Sequence, residues 1–142
     1  MLLLILSGCS TPRFIGSHSF HTSCLSDRLD GVVVLKSWGE GVSTSEALLN
    51  AQKVAIENLL FHGIIDGAVL LKPMVNEVNV QQEHREYFRS FFSKRGPFKD
   101  FVSITGQKKD LFRSQEGFVT GVVLELKRDA LRSKLVEDGI IK

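Results

Sequence analysis

The sequence predicts an α+β fold, in which helices pack on one face of a small sheet that contains antiparallel strands. Two observations lead to this prediction. A β-branched segment over residues 32–38 is followed by a glycine turn and then by an Ala- and Leu-rich helical segment over residues 47–61. After a hairpin turn, residues 118–126 alternate between two faces, as a half-buried strand does. The predicted order of elements is β-α-(β)-α-β-β-α.

The first predicted helix begins with a capping box. Ser43 is the expected N-cap, and Glu46 is expected to reach back to the N-cap amide. The helix should be extensively buried, because its apolar residues form two adjacent stripes. The first stripe comprises Leu48, Ala51, Ala55 and Leu59, and the second comprises Ala47, Val54 and Phe61. Gly63 is expected to end the helix in a left-handed conformation.

The middle of the chain predicts a short strand and a second helix. The strand is expected over residues 68–71, and Pro73 either ends it or confines it to an edge of the sheet. The helix is expected over residues 80–92, with Asn79 as its cap. Its core-facing side chains should be Phe88, Phe91 and Phe92.

The last third predicts strands and a final helix. Residues 101–105 and 111–113 are strand-like, and residues 114–117 have the composition of a turn. The strand that follows alternates, with Phe118, Val122, Leu124 and Leu126 on one face and Val119, Val123, Glu125 and Lys127 on the other. A helix begins at Asp129 and should end at Gly139, with Ile140 packing back across its end. Its inward residues should be Leu131, Leu135 and Val136.

The N-terminus indicates a lipid anchor. Residues 1–6 form an apolar run, and the sequence Leu6-Ser7-Gly8-Cys9 resembles a bacterial lipobox. The resemblance implies cleavage before Cys9 and acylation of that cysteine, so residues 1–8 are interpreted as a signal segment. A buried N-terminal strand is the alternative interpretation. Since no Lys or Arg precedes the apolar run, we expect the natural start to lie upstream of Met1.

Residues 9–30 are interpreted as a tether and residues 31–142 as a single α+β domain. The tether is rich in Ser and Thr and shows neither helical nor strand periodicity. Because Ser10 and the residues after it are not acidic, the resemblance to lipoprotein sorting implies the outer membrane, facing the periplasm. Cys24 is predicted to lie outside the core as an unpaired thiol, with pairing between chains as the alternative.

No motif indicates catalysis or a cofactor. Residues 39–41 (Gly-Glu-Gly) lie between a strand and a helix, where a phosphate-binding loop would be found. The third glycine of a dinucleotide fingerprint is absent, so a tight strand–helix turn is the preferred interpretation. The histidines lack the spacing of a zinc protease, and no serine lies in a nucleophile elbow. We therefore predict a protein that is not an enzyme and uses neither a cofactor nor a metal.

Charge is unevenly distributed along the chain. Residues 26–83 carry four basic and eight acidic side chains, whereas residues 84–113 carry eight basic and three acidic ones. Aromatic residues are interleaved with this basic segment. One interpretation is an amphipathic helix whose aromatic face is buried and whose basic face is solvated. The other is a docking surface for an acidic protein, anionic lipid or cell-wall carboxylates. The net charge of +2 is too small to indicate nucleic acid, which we do not expect as a partner. The candidate binding surface comprises Trp38, Arg85, Arg89, Lys94, Arg95 and Lys99.

Several segments together resemble small Bacteroidota-type envelope lipoproteins of unknown function. They are the lipobox and residues 32–41, 59–64, 87–92, 96–98 and 128–131. The strand–glycine–helix segment is more distantly similar to the α+β domain shared by outer-membrane lipoproteins and the N-terminal domain of a flagellar-assembly protein. These resemblances imply a structural or adaptor role in the envelope without a cofactor, and they transfer no functional residue.

Three functional hypotheses follow. The first is a non-enzymatic, lipid-anchored protein that binds an envelope protein or a cell-wall component. The second is a periplasmic domain that holds a small ligand between helix and sheet, which a deep pocket with convergent polar groups would favour. The third is an envelope hydrolase, which carboxylates or histidines with shifted pKa values in such a pocket would favour. A filled core and a flat basic surface would favour the first.

Overall fold

The computed structural model describes residues 21–67, 69–106 and 110–142, so Cys9 and the predicted signal segment lie outside the described residues. Within this part the fold is α+β, as predicted. The strands are β1 (Ser23–Asp27), β2 (Val32–Gly41), β3 (Ile64–Asp66), β4 (Val69–Leu71), β5 (Val102–Ile104), β6 (Asp110–Ser114) and β7 (Gly117–Lys127). The helices are α1 (Thr44–Glu57), α2 (Val80–Glu83), α3 (Arg85–Phe91) and α4 (Arg128–Glu137), with a π-turn over Asn58–His62 and a 3₁₀ turn over Pro97–Phe101.

The sheet is built around two long antiparallel strands, β2 and β7. β1 pairs with the free edge of β2, while β5 and β6 pair with successive stretches of β7 on its other side. The register places Val33 opposite Leu126 and Leu35 opposite Leu124, and all four side chains are fully buried. They belong to the same core cluster as residues of α1, α3 and α4, so these helices cover one face of the sheet. β3 and β4 form a separate hairpin.

Helix α1 lies unusually close to the sheet. A Cβ atom at Gly39 would lie 2.8 Å from the Cα atom of Ala51 and would overlap the carbonyl oxygen of Ala47. Ala47, Ala51 and Ala55 are fully buried along this contact. The hydroxyl of Ser37 donates a hydrogen bond of 2.8 Å to the Ala51 carbonyl. Helix–strand packing therefore accounts for the glycine at position 39.

The ends of α1 largely follow the prediction. The amide of Glu46 donates to the Ser43 hydroxyl at 3.2 Å, which makes Ser43 the N-cap. The Glu46 carboxylate accepts from the amide of Val42 at 3.0 Å, so its predicted bond to the N-cap amide is wrong by one residue. α1 continues into the π-turn, where Gly63 has a φ of 73° and donates to the carbonyl of Asn58 at 2.7 Å.

The predicted tether contains a strand. Cys24 in β1 is buried, so its predicted position outside the core is wrong. Thr22 is also buried, and its hydroxyl accepts a hydrogen bond of 2.7 Å from the side-chain amide of Asn58. A register shift between Cys24 and Ser26 interrupts the alternation of β1, which removes the period-two signal from the sequence. The folded domain therefore extends further toward the N-terminus than residue 31.

The predicted helix over residues 80–92 is broken into two. α2 and α3 are separated at His84, where φ is −108° and ψ is 33°. Asn79 precedes α2 with a left-handed φ of 72° and makes no side-chain cap. Its carbonyl instead accepts from the amides of Gln82 and Glu83. The predicted core-facing phenylalanines are confirmed, with Phe88 and Phe91 buried and Phe92 partly buried.

Helix α4 closes the core. Leu131 and Leu135 are fully buried, as predicted, but Val136 is 47% exposed and its predicted inward position is wrong. Val136 follows Leu135 by one residue, and the helical turn of about 100° per residue rotates it toward solvent. Gly139 has a φ of 73°, and the amide of the buried Ile140 donates to the Leu135 carbonyl at 2.8 Å. The predicted C-terminal cap is confirmed.

Candidate binding surface

Helix α3 separates apolar from basic side chains. Phe88 and Phe91 are buried, whereas Arg85 and Arg89 lie one turn apart on the exposed side of the helix. Further basic residues follow in the turn after α3 and in the 3₁₀ turn, and they too are exposed. These five residues, called the basic surface below, are Arg85, Arg89, Lys94, Arg95 and Lys99.

Most of the positive charge on the basic surface is not neutralised by ion pairs. Arg89 lies 3.2 Å from the carboxylate of Glu86, and both side chains are more than two-thirds exposed. An exposed ion pair of this kind contributes only about 0.2–1 kcal/mol, because water and salt screen it. Within the described part of the chain, this is the only ion pair that a residue of the basic surface makes.

The aromatic residues interleaved with the basic ones form a layer beneath them. The ring of Phe91 lies 5.0 Å from that of Phe92 and 6.2 Å from that of Phe101, measured between centroids. The ring of Phe92 lies 6.1 Å from that of Phe98, which is fully buried. These contacts join α3 to the 3₁₀ turn. The rings support the basic surface from inside, and the buried ones are not available to stack on a partner.

Tyr87 connects α3 to the end of α4. Its hydroxyl donates a hydrogen bond of 2.6 Å to the carboxylate of Asp138. This bond lowers the pKa of Asp138, because it favours the ionised carboxylate. Burial raises the pKa of Tyr87, and the bond to Asp138 raises it further. The contact thus holds the scaffold of the basic surface against the C-terminal helix.

Trp38 does not share a face with the basic surface. Ser37 of β2 faces α1, so its neighbour Trp38 projects from the opposite face of the sheet. Its ring stacks on that of Phe112 at 6.0 Å, and the Lys36 ammonium lies 4.9 Å from its centroid. Gly121 lies opposite Trp38 on β7, and a Cβ atom at Gly121 would come within 2.6 Å of the indole. Trp38 is half-buried rather than exposed, and the thickness of the sheet separates it from the basic residues.

Two cavities lie near the first turn of α1. One of about 550 Å³ opens between the β2–α1 turn and the β6–β7 turn, and the exposed carboxylates of Glu40, Glu46 and Glu116 line it. The Glu46 carboxylate is already hydrogen-bonded to the amide of Val42. The other cavity, of about 410 Å³, lies between α1 and the turn that follows α3, with Asn50, Lys53 and Lys94 in its lining. Both lie at the surface of the domain.

The described residues 21–67, 69–106 and 110–142 contain no group of three or more His, Cys, Asp or Glu residues able to hold a metal ion. His62 lies exposed in the π-turn, and His84 lies at the break between α2 and α3. In the same part of the chain, none of the helices combines the length and the apolar character needed to cross a bilayer.

The comparisons with known proteins return no relative. No protein-family model, no curated protein and no solved structure matches the chain. The five basic residues were predicted from the charge pattern alone, and all five are exposed in the structure. The contact between Trp38 and Phe112 was missed, because the two residues are brought together by strands that are distant in sequence.

Proposed function

We propose that this chain is a non-enzymatic, lipid-anchored protein of the bacterial envelope whose domain binds an acidic partner through the basic surface. The observation that carries the proposal is the arrangement of residues 85–99, where phenylalanines fill the core and basic side chains face solvent. Like charges at this density repel one another, so contact with an anionic surface lowers the free energy. The lipobox-like sequence that ends at Cys9 supports the anchor.

Surface binding fits the packing better than a small ligand held between helix and sheet. Ala51 and Ala55 of α1 are fully buried against the sheet, and Gly39 allows contact with the backbone of α1. This close approach leaves no space for a ligand between α1 and β2. An acidic partner on the opposite side of the helical layer requires no cavity.

The docking surface is tested by charge reversal. The triple variant Arg85→Glu, Arg89→Glu and Lys94→Glu is compared with wild type by cross-linking and pull-down from intact envelopes. We expect the variant to lose the partner that wild type captures, and we expect added salt to weaken the wild-type complex, since exposed charges are screened over about 10 Å at 0.1 M salt.

A matched control reverses three exposed basic residues elsewhere, as Lys72→Glu, Lys127→Glu and Arg132→Glu. This control carries the same change in net charge and should retain the partner. Identical partner lists for wild type and the first variant would refute the docking surface. So would an affinity that does not change with salt.

The anchor is tested by labelling cells with a radioactive fatty acid. Incorporation should disappear in Cys9→Ala and persist in Cys24→Ala, because Cys24 is buried in the folded domain. Each acyl CH₂ group contributes about 0.8 kcal/mol when it enters the bilayer, so loss of the label should also release the protein from the membrane fraction. Wild-type protein that carries no label would refute the anchor.

A further inference from the structure

The hairpin formed by β3 and β4 has an uncovered aliphatic face. Ile64 pairs with Leu71 and both are buried, which fixes the inner face of the hairpin. The next pair, Ile65 and Leu70, therefore projects outward. Ile65 is 75% exposed and Leu70 is 59% exposed. Two large aliphatic side chains directly opposite each other make a continuous apolar contact surface.

This hairpin lies where the N-terminal segment enters the fold. β1 contacts β3, and the bulged residue Leu25 of β1 is 55% exposed. Thr22, just before β1, is held by its hydrogen bond to Asn58 in the π-turn that leads directly into β3. The chain that comes from Cys9 thus reaches the domain at the base of the hairpin.

We propose that the outer face of the β3–β4 hairpin, built on Ile65 and Leu70, rests on the lipid bilayer that holds the acyl anchor. This inference rests on the anchor proposed at Cys9. Thr22 lies thirteen positions after Cys9 in the sequence. Thr22, which is hydrogen-bonded to Asn58 near the base of the hairpin, therefore stays within about 45 Å of the anchor even when that segment is fully extended.

Tethering makes a weak apolar contact effective. An anchor close to the hairpin turns membrane contact into an intramolecular event with a high effective concentration. Aliphatic side chains gain free energy when they leave water for the boundary between headgroups and acyl chains. Asp66 lies at the turn of the hairpin and carries a charge, which limits the hairpin to this boundary and keeps it out of the hydrocarbon core.

The experiment places a fluorophore on the hairpin. Full-length protein in a Cys9→Ala background carries an N-terminal hexahistidine tag and is bound to phosphatidylcholine vesicles through a nickel-chelating lipid. Ile65→Cys and, separately, Leu70→Cys are labelled with an environment-sensitive fluorophore. Cys24 reacts slowly with the label in the folded protein, because it is only 7% exposed.

The control is Leu111→Cys, which has a similar exposure of 54% and lies in β6, at the opposite edge of the sheet from β1. We expect the labels at positions 65 and 70 to shift to shorter wavelength on vesicles and to be quenched by spin-labelled lipid. The label at position 111 should do neither. The shift should persist at about 1 M salt, because screening weakens charge contacts and not apolar burial.

Two results would overturn the proposal. One is a label at positions 65 and 70 that stays in water on vesicles, as at position 111. The other is a blue shift that grows with protein concentration without vesicles, which would assign the hairpin to a second copy of the chain. The tag holds the protein to the vesicle whether or not Cys9 is acylated. A hairpin that stays in water while wild type incorporates fatty acid would therefore refute the membrane contact and leave the anchor intact.

Discussion

At the scale of single residues, Gly39 sets the distance between helix and sheet. The variant Gly39→Ala should lower the free energy of unfolding by about 3 kcal/mol, because the added methyl group meets the backbone of α1 and cannot be accommodated by a side-chain rotation. Urea denaturation followed by circular dichroism measures the change.

The matched control for this variant is Gly106→Ala. Gly106 has a φ of 92°, and no atom of the described residues beyond its chain neighbours lies within 4 Å of the position that an added methyl group would take. The substitution therefore disturbs the backbone conformation without a clash. Its expected cost is about 1–2 kcal/mol. Equal losses of stability in the two variants would contradict the role of close packing at Gly39.

The hydrogen bond between Tyr87 and Asp138 makes stability depend on pH. A carboxyl group whose pKa is lowered on folding stabilises the protein above its ordinary pKa of 3.8, and this stabilisation is lost as the pH falls through the lower folded value. The variant Tyr87→Phe removes the bond that lowers this pKa. The difference in unfolding free energy between wild type and variant should be full at neutral pH and should shrink below about pH 4. A difference that stays constant on acidification would contradict this contact.

At the scale of elements, β1 is an edge strand that pairs with β2 at four positions, and Asn58 holds Thr22 next to it. Burial raises the pKa of the Cys24 thiol, and the carboxylate of Asp27 raises it further, so the thiol should react slowly while β1 is paired. In the Cys9→Ala background, Asn58→Ala removes the bond to Thr22 and should speed the labelling of Cys24 by about fivefold, which corresponds to about 1 kcal/mol.

Stopped-flow labelling with a thiol reagent measures this rate. Asn50→Ala is the matched control, because its side-chain amide donates to the carbonyl of Glu40, away from β1. The control should label at the wild-type rate. If native and urea-denatured protein were labelled equally fast, β1 would not be part of the folded domain.

Elements in which apolar residues recur at a regular spacing were predicted from the sequence, and short or irregular elements were not. The alternation of β7 and the apolar stripes of α1 each span more than two turns or repeats, so the type of each element was evident. At the start of β7 the burial departs from the alternation, because Val119 is buried and Phe118 is only partly buried. β1 has a bulge within five residues and β3 has only three residues, so neither leaves a readable pattern. The break at His84 depends on backbone angles that the apolar stripe of residues 80–92 does not record.

The candidate site shows the same division. The five basic residues were predicted because charge is carried by the sequence itself and because the phenylalanines between them follow a helical spacing. Their separation from Trp38 was not predicted, because it depends on which face of β2 meets α1. The aliphatic hairpin was also missed, since it needs the register that pairs Ile65 with Leu70.

At the scale of the whole molecule, stability is concentrated in the centre of the sheet. β2 and β7 pair over ten positions and are covered by α1. The β3–β4 hairpin has three pairs, and every residue of β6 is exposed. Local opening of such peripheral elements exposes less apolar surface than unfolding of the centre, so it requires less free energy.

Hydrogen exchange should therefore divide the sheet into two classes of strand. Amides that are hydrogen-bonded between β2 and β7 should exchange only through global unfolding, whereas those of β6 and of the β3–β4 hairpin should exchange on the order of a hundredfold faster. Native-state exchange followed by mass spectrometry of peptides measures this difference. The hairpin can then adjust to a surface while the central strands stay paired, because its opening does not disturb the contact between α1 and the sheet. Uniform protection across all strands would contradict this division and would make the domain a single cooperative unit.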